Sequence, residues 1–588
     1  MTAFSSKTIL TTLAPLALLA AIGSWAPSAG AQSLVTNGTF DTESDPWWSY
    51  AAENADDPTL SAMQTVEVVE GRLCSTITVG GKNTWDVILG LSDLALVAGQ
   101  YYRISFSATA DVERKIRFKT GLGDAPYTDY FIKTVTILPT PTVFDFTYLN
   151  LREDPAVQFQ FHIGGSAGTV CVDDVVLEPV AAPLVPPYVT PSATGNPLKA
   201  HAGMVKLGTA VDTPTFLSRP DHNAIVAGEF SMITPANSMK MNLIQPTQGE
   251  FDFTDTDALY TYAQQNGLEF RGHPLIWHTQ TPDWLNNGTF DRDQMLAVMD
   301  AHIDALMQKY SLLPYWDVVN EAIDQTEGVW GFRPTIWHDR IGPDFIDHAF
   351  QRARMNSTTA KLVYNDYNIE QQGNAKADRV FELVSDMKAR AIPIDAIGFQ
   401  SHYYVTPDGG LSGVPNIEAI RANMDRYAAI GVDVHVTECD FRLGTPWTAE
   451  KQALQDKFYA DLLQTCIDAP NCSHFTVWGL SDYDSWVPST FPDYDFAHLF
   501  DANFAAKSAY QAMASVFAQF NPDGTPVGGT GGAPGTGGTD GGTPAAKSGC
   551  AMNAGPVAST TPWFVGLLAL VGLSFGLRRK RSARAQLS

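Results

Sequence analysis

At 588 residues the chain is too long for a single hydrophobic core, so two or more folded units are expected. A composition that is 45% hydrophobic and 17% charged argues against a disordered chain. The formal net charge of -25 disfavours nucleic acid and anionic membranes as partners and fits a neutral polymer.

In chain order, residues 1–31 read as a secretory signal. Lys7 supplies the positive start, Leu13 to Ile22 is apolar except for Pro15, and Ala29-Gly30-Ala31 offers a small-residue cleavage site before Gln32. The alternative is a membrane anchor, but the run is shorter than the ~20 residues that span a bilayer. Residues 33–178 then alternate apolar and polar positions between turn signals, as in "YYRISFSATA", "KIRFKTGLG", "VFDFTYLNL", "VQFQFHIGG" and "VCVDDVVLEP". Period-two patterning at this spacing predicts an all-β, antiparallel, jelly-roll-like sandwich. No acid–base pair or nucleophile constellation falls within it. Trp47, Trp48, Trp85, Tyr127 and Tyr130 are candidates for a flat stacking surface, with burial in the core as the alternative for each.

Residues 179–197, rich in Pro, Ala and Val, read as a linker. Across residues 198–518 short apolar strands alternate with helical stretches: "VKLGTAV", "EFSMIT", "LEFRGHPLIW", "YWDVVNE", "KLVYNDYN", "AIGFQSHYY", "DVHVTECD" and "HFTVWGLSD". Eight strands separated by helix-length chain predict a (β/α)8 TIM barrel, and polar residues gather at the strands' C-terminal ends, where such barrels hold their chemistry. Residues 521–547, with "GGTGGAPGTGGTDGGTP", cannot bury a core and read as a flexible spacer. Residues 548–588 close the chain with a short apolar helix and the basic stop "RRKR". Six cysteines in an exported chain point to some pairing. Cys74 with Cys171 and Cys466 with Cys472 are plausible pairs; Cys439 has no obvious partner, and none has zinc-ligand spacing.

Glu321 ends the fourth barrel strand in "WDVVNEA", and Glu438 ends the seventh in "VHVTECD". Strands four and seven lie across an eight-stranded barrel from each other, so the two carboxylates can face each other over its mouth. Glycoside hydrolysis uses such a pair, and a gap of ~5–5.5 Å makes it retaining, with one carboxylate attacking and the other serving as acid, then base. A nearby Glu438 charge is expected to hold Glu321 protonated until Glu438 becomes esterified. Spacing alone leaves open that both are ion-paired or capping glutamates.

The surrounding strings carry more. "RGHPLIWHTQTPDWL", "WDVVNEA", "VYNDYNIE", "AIGFQSHYY", "HVTECD", "TVWGLSDYDSW" and "LFDANFAAKSAY" occur in one order, and from Leu198 to about Ala514 the chain resembles glycoside hydrolase family 10, the endo-β-1,4-xylanases. The resemblance implies Glu321 as acid/base beside Asn320, and Glu438 as nucleophile. It implies His402 and Asp440 as the groups that orient the nucleophile, with Gln400 beside them. Asn237, Lys240, His273, Trp277 and Gln280 match positions that bind the sugar on the non-reducing side of the cleavage point. Trp478 and Trp486 match tryptophans over that sugar, and Tyr367 an aromatic of the cleft. The implied partner is xylan of the plant cell wall, acted on by a monomer that needs no cofactor.

One position departs from the pattern. The family's Thr-x-Glu-Asn-x-x-Lys reads here "TPANSMK", with Ala236 in place of a glutamate that grips the sugar second from the cleavage point. Cys439, where an apolar residue is common, reads as a small packing variant. Residues 33–178 resemble carbohydrate-binding modules of the family 4/9/22 type through "LVTNGTFD", "TWDVILG", "AGQYYRISFSATA" and "VCVDDVVLEP". Such modules often hold a structural calcium, though no ligand set stands out. The tail from Ser548 resembles processed sorting tails of myxobacterial surface proteins, the alternative being a plain membrane anchor; either implies a secreted or surface-attached protein. Three functional readings follow: a retaining xylanase, the same chemistry on mixed-linkage glucan or an aryl cellobioside, or a barrel that binds polysaccharide without cleaving it.

Overall fold

The computed structural model describes residues 32–54, 61–324 and 331–527. These form two compact units, the first of residues to Pro186 together with Pro214–Asp221, the second of Pro187–Thr213 and the residues from His222. Residues 1–31, read above as a signal, and residues 528–588, which hold most of the segment read as a spacer, the segment read as a tail, and Cys550, lie outside the described residues. Among the described residues no helix is long and apolar enough to cross a membrane.

The first unit is a sandwich of ten strands: β1 (Trp48–Ala51), β2 (Met63–Val69), β3 (Arg72–Val79), β4 (Val87–Leu96), β5 (Tyr101–Ala110), β6 (Arg114–Gly121), β7 (Asp129–Ile137), β8 (Thr142–Leu149), β9 (Asp154–His162) and β10 (Gly168–Val180). They pair as two five-stranded sheets, β1-β4-β9-β6-β7 and β2-β3-β10-β5-β8. Alternation along each strand sends one set of side chains inward. Phe106 of β5 meets Phe118 of β6 at 5.1 Å and Phe161 of β9 at 4.9 Å between ring centroids, so the sheets face each other over an aromatic core. Cys74 and Cys171, opposite each other on β3 and β10, form a disulfide. The alternation read from the sequence located β5, β6, β8, β9 and β10. It did not single out the shorter or less regular β1, β2, β3, β4 and β7.

The second unit is a barrel built on β11 (Lys206–Val211), β12 (Met232–Pro235), β13 (Glu269–Gly272), β14 (Tyr315–Asn320), β15 (Lys361–Asp366), β16 (Ala396–Phe399), β17 (His402–Val405), β18 (Asp433–Gly444) and β19 (Cys472–Val477). Eight of these pair in a closed parallel ring, in which β11 joins β19 and β16 joins β18. Helices follow each ring strand, as the alternating pattern predicts. The helix Arg292–Lys309 shows how the chain marks their starts: Asp291 and Gln294 exchange backbone-to-side-chain bonds in a capping box. The "AIGFQSHYY" stretch is broken at Ser401, where φ is 64°, and resumes as β17 beside the outer half of β18, setting His402 opposite Asp440. Below the mouth the barrel interior is not wholly apolar. Buried Arg271 holds Asp317 through two nitrogens, Nε at 3.0 Å, and lies 3.1 Å from His435 Nδ1. Cys466 and Cys472 form the second disulfide, and Cys439 is free and buried, as its packing role requires.

Candidate active site

Glu321 follows β14 directly, and Glu438 lies midway along β18. At Glu321 the backbone turns to φ 57°, while its N–H donates to the Asn365 carbonyl of β15 at 2.9 Å. A glutamate in the left-handed region costs roughly 1–3 kcal/mol, strain of the kind that collects at functional sites. Its Oε1 accepts from Gln400 Nε2 at 3.1 Å and Asn320 Nδ2 at 3.2 Å, and its Oε2 accepts from Trp277 Nε1 at 3.0 Å.

Glu438 is held by a separate set. Asn365 Nδ2 donates to its Oε1 at 2.6 Å, His402 Nε2 lies 3.4 Å from Oε2, and His273 Nε2 lies 4.0 Å from Oε1. Asn365 also donates to Asn320 Oδ1 at 2.8 Å and accepts from Thr437 Oγ1 at 2.6 Å. One buried amide therefore bridges the nucleophile candidate to the residue beside the acid/base candidate, which brings the two glutamates into one network.

His402 Nδ1 and Trp486 Nε1 both meet Asp440 Oδ2, at 2.9 and 2.8 Å. Burial would lower the His402 pKa, but Asp440 and Glu438 outweigh it and push it up to about 10, so the imidazole is a cation across the working range. Asp440, which burial would raise, is in turn held below its usual value by His402. His273 Nδ1 is 2.9 Å from Asp317 Oδ2, the carboxylate fixed by Arg271, and this aims its other nitrogen toward Glu438.

Glu321 corrects one sequence expectation. Burial raises its pKa, yet His278, hydrogen bonds from Gln400 and Trp277, and the Lys376 charge outweigh burial and hold it below the usual glutamate value. His278 is itself driven down to about 4, mainly by burial, so at neutral pH the donors and Lys376 supply the lasting part of that pull. The resting site thus favours the Glu321 carboxylate. The Glu438 charge is not among the main influences on Glu321.

The sugar-side residues gather at one flank. Lys240 Nζ donates to Asn237 Oδ1 at 2.8 Å and lies 4.8 Å over the Trp277 ring. Asn237 donates in turn to Asp212 Oδ1 at 2.9 Å, and Gln280 Nε2 reaches Asn237 Oδ1 at 3.5 Å. Burial brings Lys240 down to about 8 against the pull of Glu438, Glu321 and Asp212. Trp478 meets the His273 ring edge-on at 5.1 Å and Trp486 the His402 ring at 5.2 Å. Tyr367 takes a bond from Arg333 at 2.9 Å and has Lys376 3.6 Å over its face, while Arg333 Nε also holds the Glu321 carbonyl at 3.0 Å. The barrel residues selected from the sequence therefore converge on one mouth. Sequence reasoning passed over Asn365, Thr437, Asp317, Arg271, His278, Arg333 and Asp212. Their usable signal was a place inside the quoted strings: Asn365 in "VYNDYNIE", Thr437 in "HVTECD", Asp317 in "WDVVNEA", and Arg271 and His278 in "RGHPLIWHTQTPDWL".

The sandwich sorts its aromatics by side. Trp47 and Tyr130 are 7% and 9% exposed and belong to the core, which removes them from the stacking surface. Trp48 lies across the outer face of the β1-β4-β9-β6-β7 sheet, where a Cβ on Gly90 would come within 2.2 Å of its ring, and its Nε1 donates to Ser92 Oγ at 2.9 Å. Trp85 is half-buried and Tyr127 is exposed. Among the described residues no group of three or more His, Cys, Asp or Glu is arranged to hold a metal ion.

Comparison with known proteins follows the same division. Residues 32–169 match a family described as Carbohydrate binding domain, and residues 196–516 match Glycosyl hydrolase family 10. Endo-1,4-beta-xylanase A of Phanerodontia chrysosporium is 37% identical over 331 residues, covering 56% of this chain and 78% of its own. Endo-1,4-beta-xylanase 2 of Aureobasidium pullulans is 34% identical over 343 residues, 57% of this chain and 93% of its own. Among solved structures, xylanase 10B of Thermotoga petrophila in complex with xylobiose matches at TM-score 0.52 and 30% identity, over 54% of this chain and 96% of its own. The Penicillium canescens endo-1,4-beta-xylanase XylE matches at TM-score 0.52 and 32% identity, over 57% and 99%. A match that spans more than half of the chain, on a barrel whose mouth gathers the paired glutamates, makes this protein a glycoside hydrolase and a member of glycosyl hydrolase family 10.

Proposed function

We propose that the protein is an endo-1,4-β-xylanase that cleaves internal xylosidic bonds with retention, Glu438 acting as nucleophile and Glu321 as acid/base. The observation that carries this reading is the Asn320–Asn365 bridge joining the two glutamates, since double displacement needs both carboxylates at one glycosidic bond. Glu438 attacks the anomeric carbon while Glu321 protonates the departing oxygen. Glu321 then takes a proton from the water that releases the sugar. Filling the cleft with sugar removes water from Glu321 and adds to burial, the influence that already acts upward on its pKa, which moves it toward the protonated form the first step needs. The His402 cation and Asn365 orient the nucleophile, and His402 with Asp440 forms a pair of zero net charge once Glu438 is esterified.

Ala236 motivates a second reading, the same chemistry on mixed-linkage glucan or an aryl cellobioside, because the glycone sugar loses a carboxylate contact there. Reducing-sugar release from xylan, β-glucan and cellulose separates these readings, and no release from any of them supports a barrel that only binds. Proton NMR of the first product reports stereochemistry; an inverted product refutes the role given to Glu438.

The sandwich unit is read as holding a polysaccharide chain on the outer face that carries Trp48. Replacing Trp48 by Ala is expected to weaken retention on insoluble xylan while leaving turnover of soluble oligosaccharides unchanged. Residues 1–31 are read as removed on export and residues 548–588 as a sorting or anchoring tail, a reading that rests on their composition.

A further inference from the structure

The outer face of the sandwich sheet carries an arginine that no carboxylate of the described protein contacts directly. In the middle of β6 and β9 the inward residues Ile116, Phe118, Phe159 and Phe161 are aromatic and aliphatic, and the outward ones are Arg117 and Lys119, Gln160 and His162. Arg117 stands opposite His162, and Lys119 opposite Gln160. Although they point away from the core, Lys119, Gln160 and His162 are only 3%, 6% and 8% exposed, so their surroundings make a groove of this face. Gln160 bonds Gln158 at 2.6 Å and His162 at 2.7 Å, and His162 Nδ1 is left buried without a partner. The Lys119 charge is satisfied by Asp129 at 2.6 Å and by the Tyr127 carbonyl at 3.2 Å.

Arg117 differs. It is half-buried with its guanidinium 5.8 Å from the Trp85 ring, and among the described residues it makes no hydrogen bond and has no carboxylate within 4.0 Å. The acid nearest in effect is Asp129, which Lys119 already occupies. Partial desolvation of a cation without a counter-charge is unfavourable, and in a chain of net charge -25 the missing partner is the more conspicuous. A guanidinium presents a planar fork that matches a carboxylate through two parallel bonds.

We propose that this groove recognises a xylan chain bearing carboxylate substituents, a uronate branch docking on the Arg117 guanidinium while the backbone sugars lie along Trp85 and Trp48. The inference rests on the reading of this face as the polysaccharide-binding surface. The bound carboxylate supplies the counter-charge the fold omits.

The test uses the full-length Glu438→Ala protein, which does not consume the polymer. Its binding to glucuronoxylan is compared with binding to the same polymer after its carboxyl groups are reduced to alcohols. Binding about tenfold or more tighter to the uronate form is expected, as for a charged hydrogen-bonded pair, and the gap should narrow at 0.5 M salt. Arg117→Gln should erase the gap and spare binding to the reduced polymer, while Arg117→Lys should restore only part of it. Equal binding of both polymers by the parent protein, or an undiminished gap in Arg117→Gln, overturns the proposal, and the parent comparison decides even if a variant misfolds. Trp48→Ala with Trp85→Ala separates the underlying reading: if the double variant loses neither polymer, the face is not the sugar-binding surface at all.

Discussion

Replacing Asp440 by asparagine isolates the charge that makes His402 a cation. An amide oxygen in the place of Asp440 Oδ2 can keep the 2.9 Å contact from His402 and the 2.8 Å contact from Trp486 while the charge is removed. With Asp440 present the folded-state pKa of His402 is about 10, above the ordinary histidine value of 6.5. Because the folded value is the higher one, the resulting stability is complete below pH 6.5 and is lost as pH rises toward 10. Removing one of two opposite charges lowers such a pKa by roughly 1–3 units, worth about 1.4–4 kcal/mol. Asp440→Asn is therefore expected to destabilise the barrel by that amount near pH 6, with the difference shrinking as pH rises toward 10, where His402 begins to lose its proton in the parent as well. Lys240, lowered to about 8, adds stability from pH 8 to 10.5 but acts equally on both proteins and cancels in the comparison. Denaturant midpoints of the full-length protein and the variant, followed by tryptophan fluorescence from pH 6 to 10, give the curve. A destabilisation that stays constant over that range refutes the electrostatic argument and leaves only lost packing.

Other outcomes follow from the same geometry. Glu438→Ala and Glu321→Ala should each lower kcat on xylan by about 10⁴-fold or more with polymer binding retained, the Glu321 loss being smaller on aryl glycosides whose leaving group needs no proton. Asn365→Ala removes the donor to both Glu438 and Asn320, and a charged bond of this kind is worth ~1.5–3 kcal/mol, so kcat/KM should fall about 10–150-fold; an unchanged value means the bridge is dispensable. Ala236→Glu restores a charge-assisted contact of similar size, and a gain in kcat/KM on xylo-oligosaccharides is expected; no gain sinks the idea that Ala236 weakens glycone binding. Reduction should weaken the sandwich more than the barrel. Cys74–Cys171 spans 97 positions and Cys466–Cys472 only 6, which in the chain-entropy account is ~4–5 against ~2 kcal/mol. Calorimetry with and without reductant compares the two transitions.

The sequence alone determined what depends on local pattern. Alternation located β5 at residues 101–110, and eight apolar segments separated by helix-length chain specified the ring that β11–β16, β18 and β19 close. The strings around them, together with an expected place near the C-terminal face of the barrel, singled out Glu321 and Glu438. Only the tertiary structure decided what depends on neighbours distant in the chain. Trp47 and Trp48 are adjacent and alike, yet one is core and the other lies across the outer face, because the second sheet covers only one side. Asn365 becomes the bridge because β15 lies beside β14, within reach of Glu438 on β18. The His402 cation, the carboxylate-favouring surroundings of Glu321 and the lack of a direct carboxylate contact at Arg117 likewise follow from which groups the fold brings within a few ångströms. Electrostatic free energy depends on that distance and on burial, and neither is written in residue order.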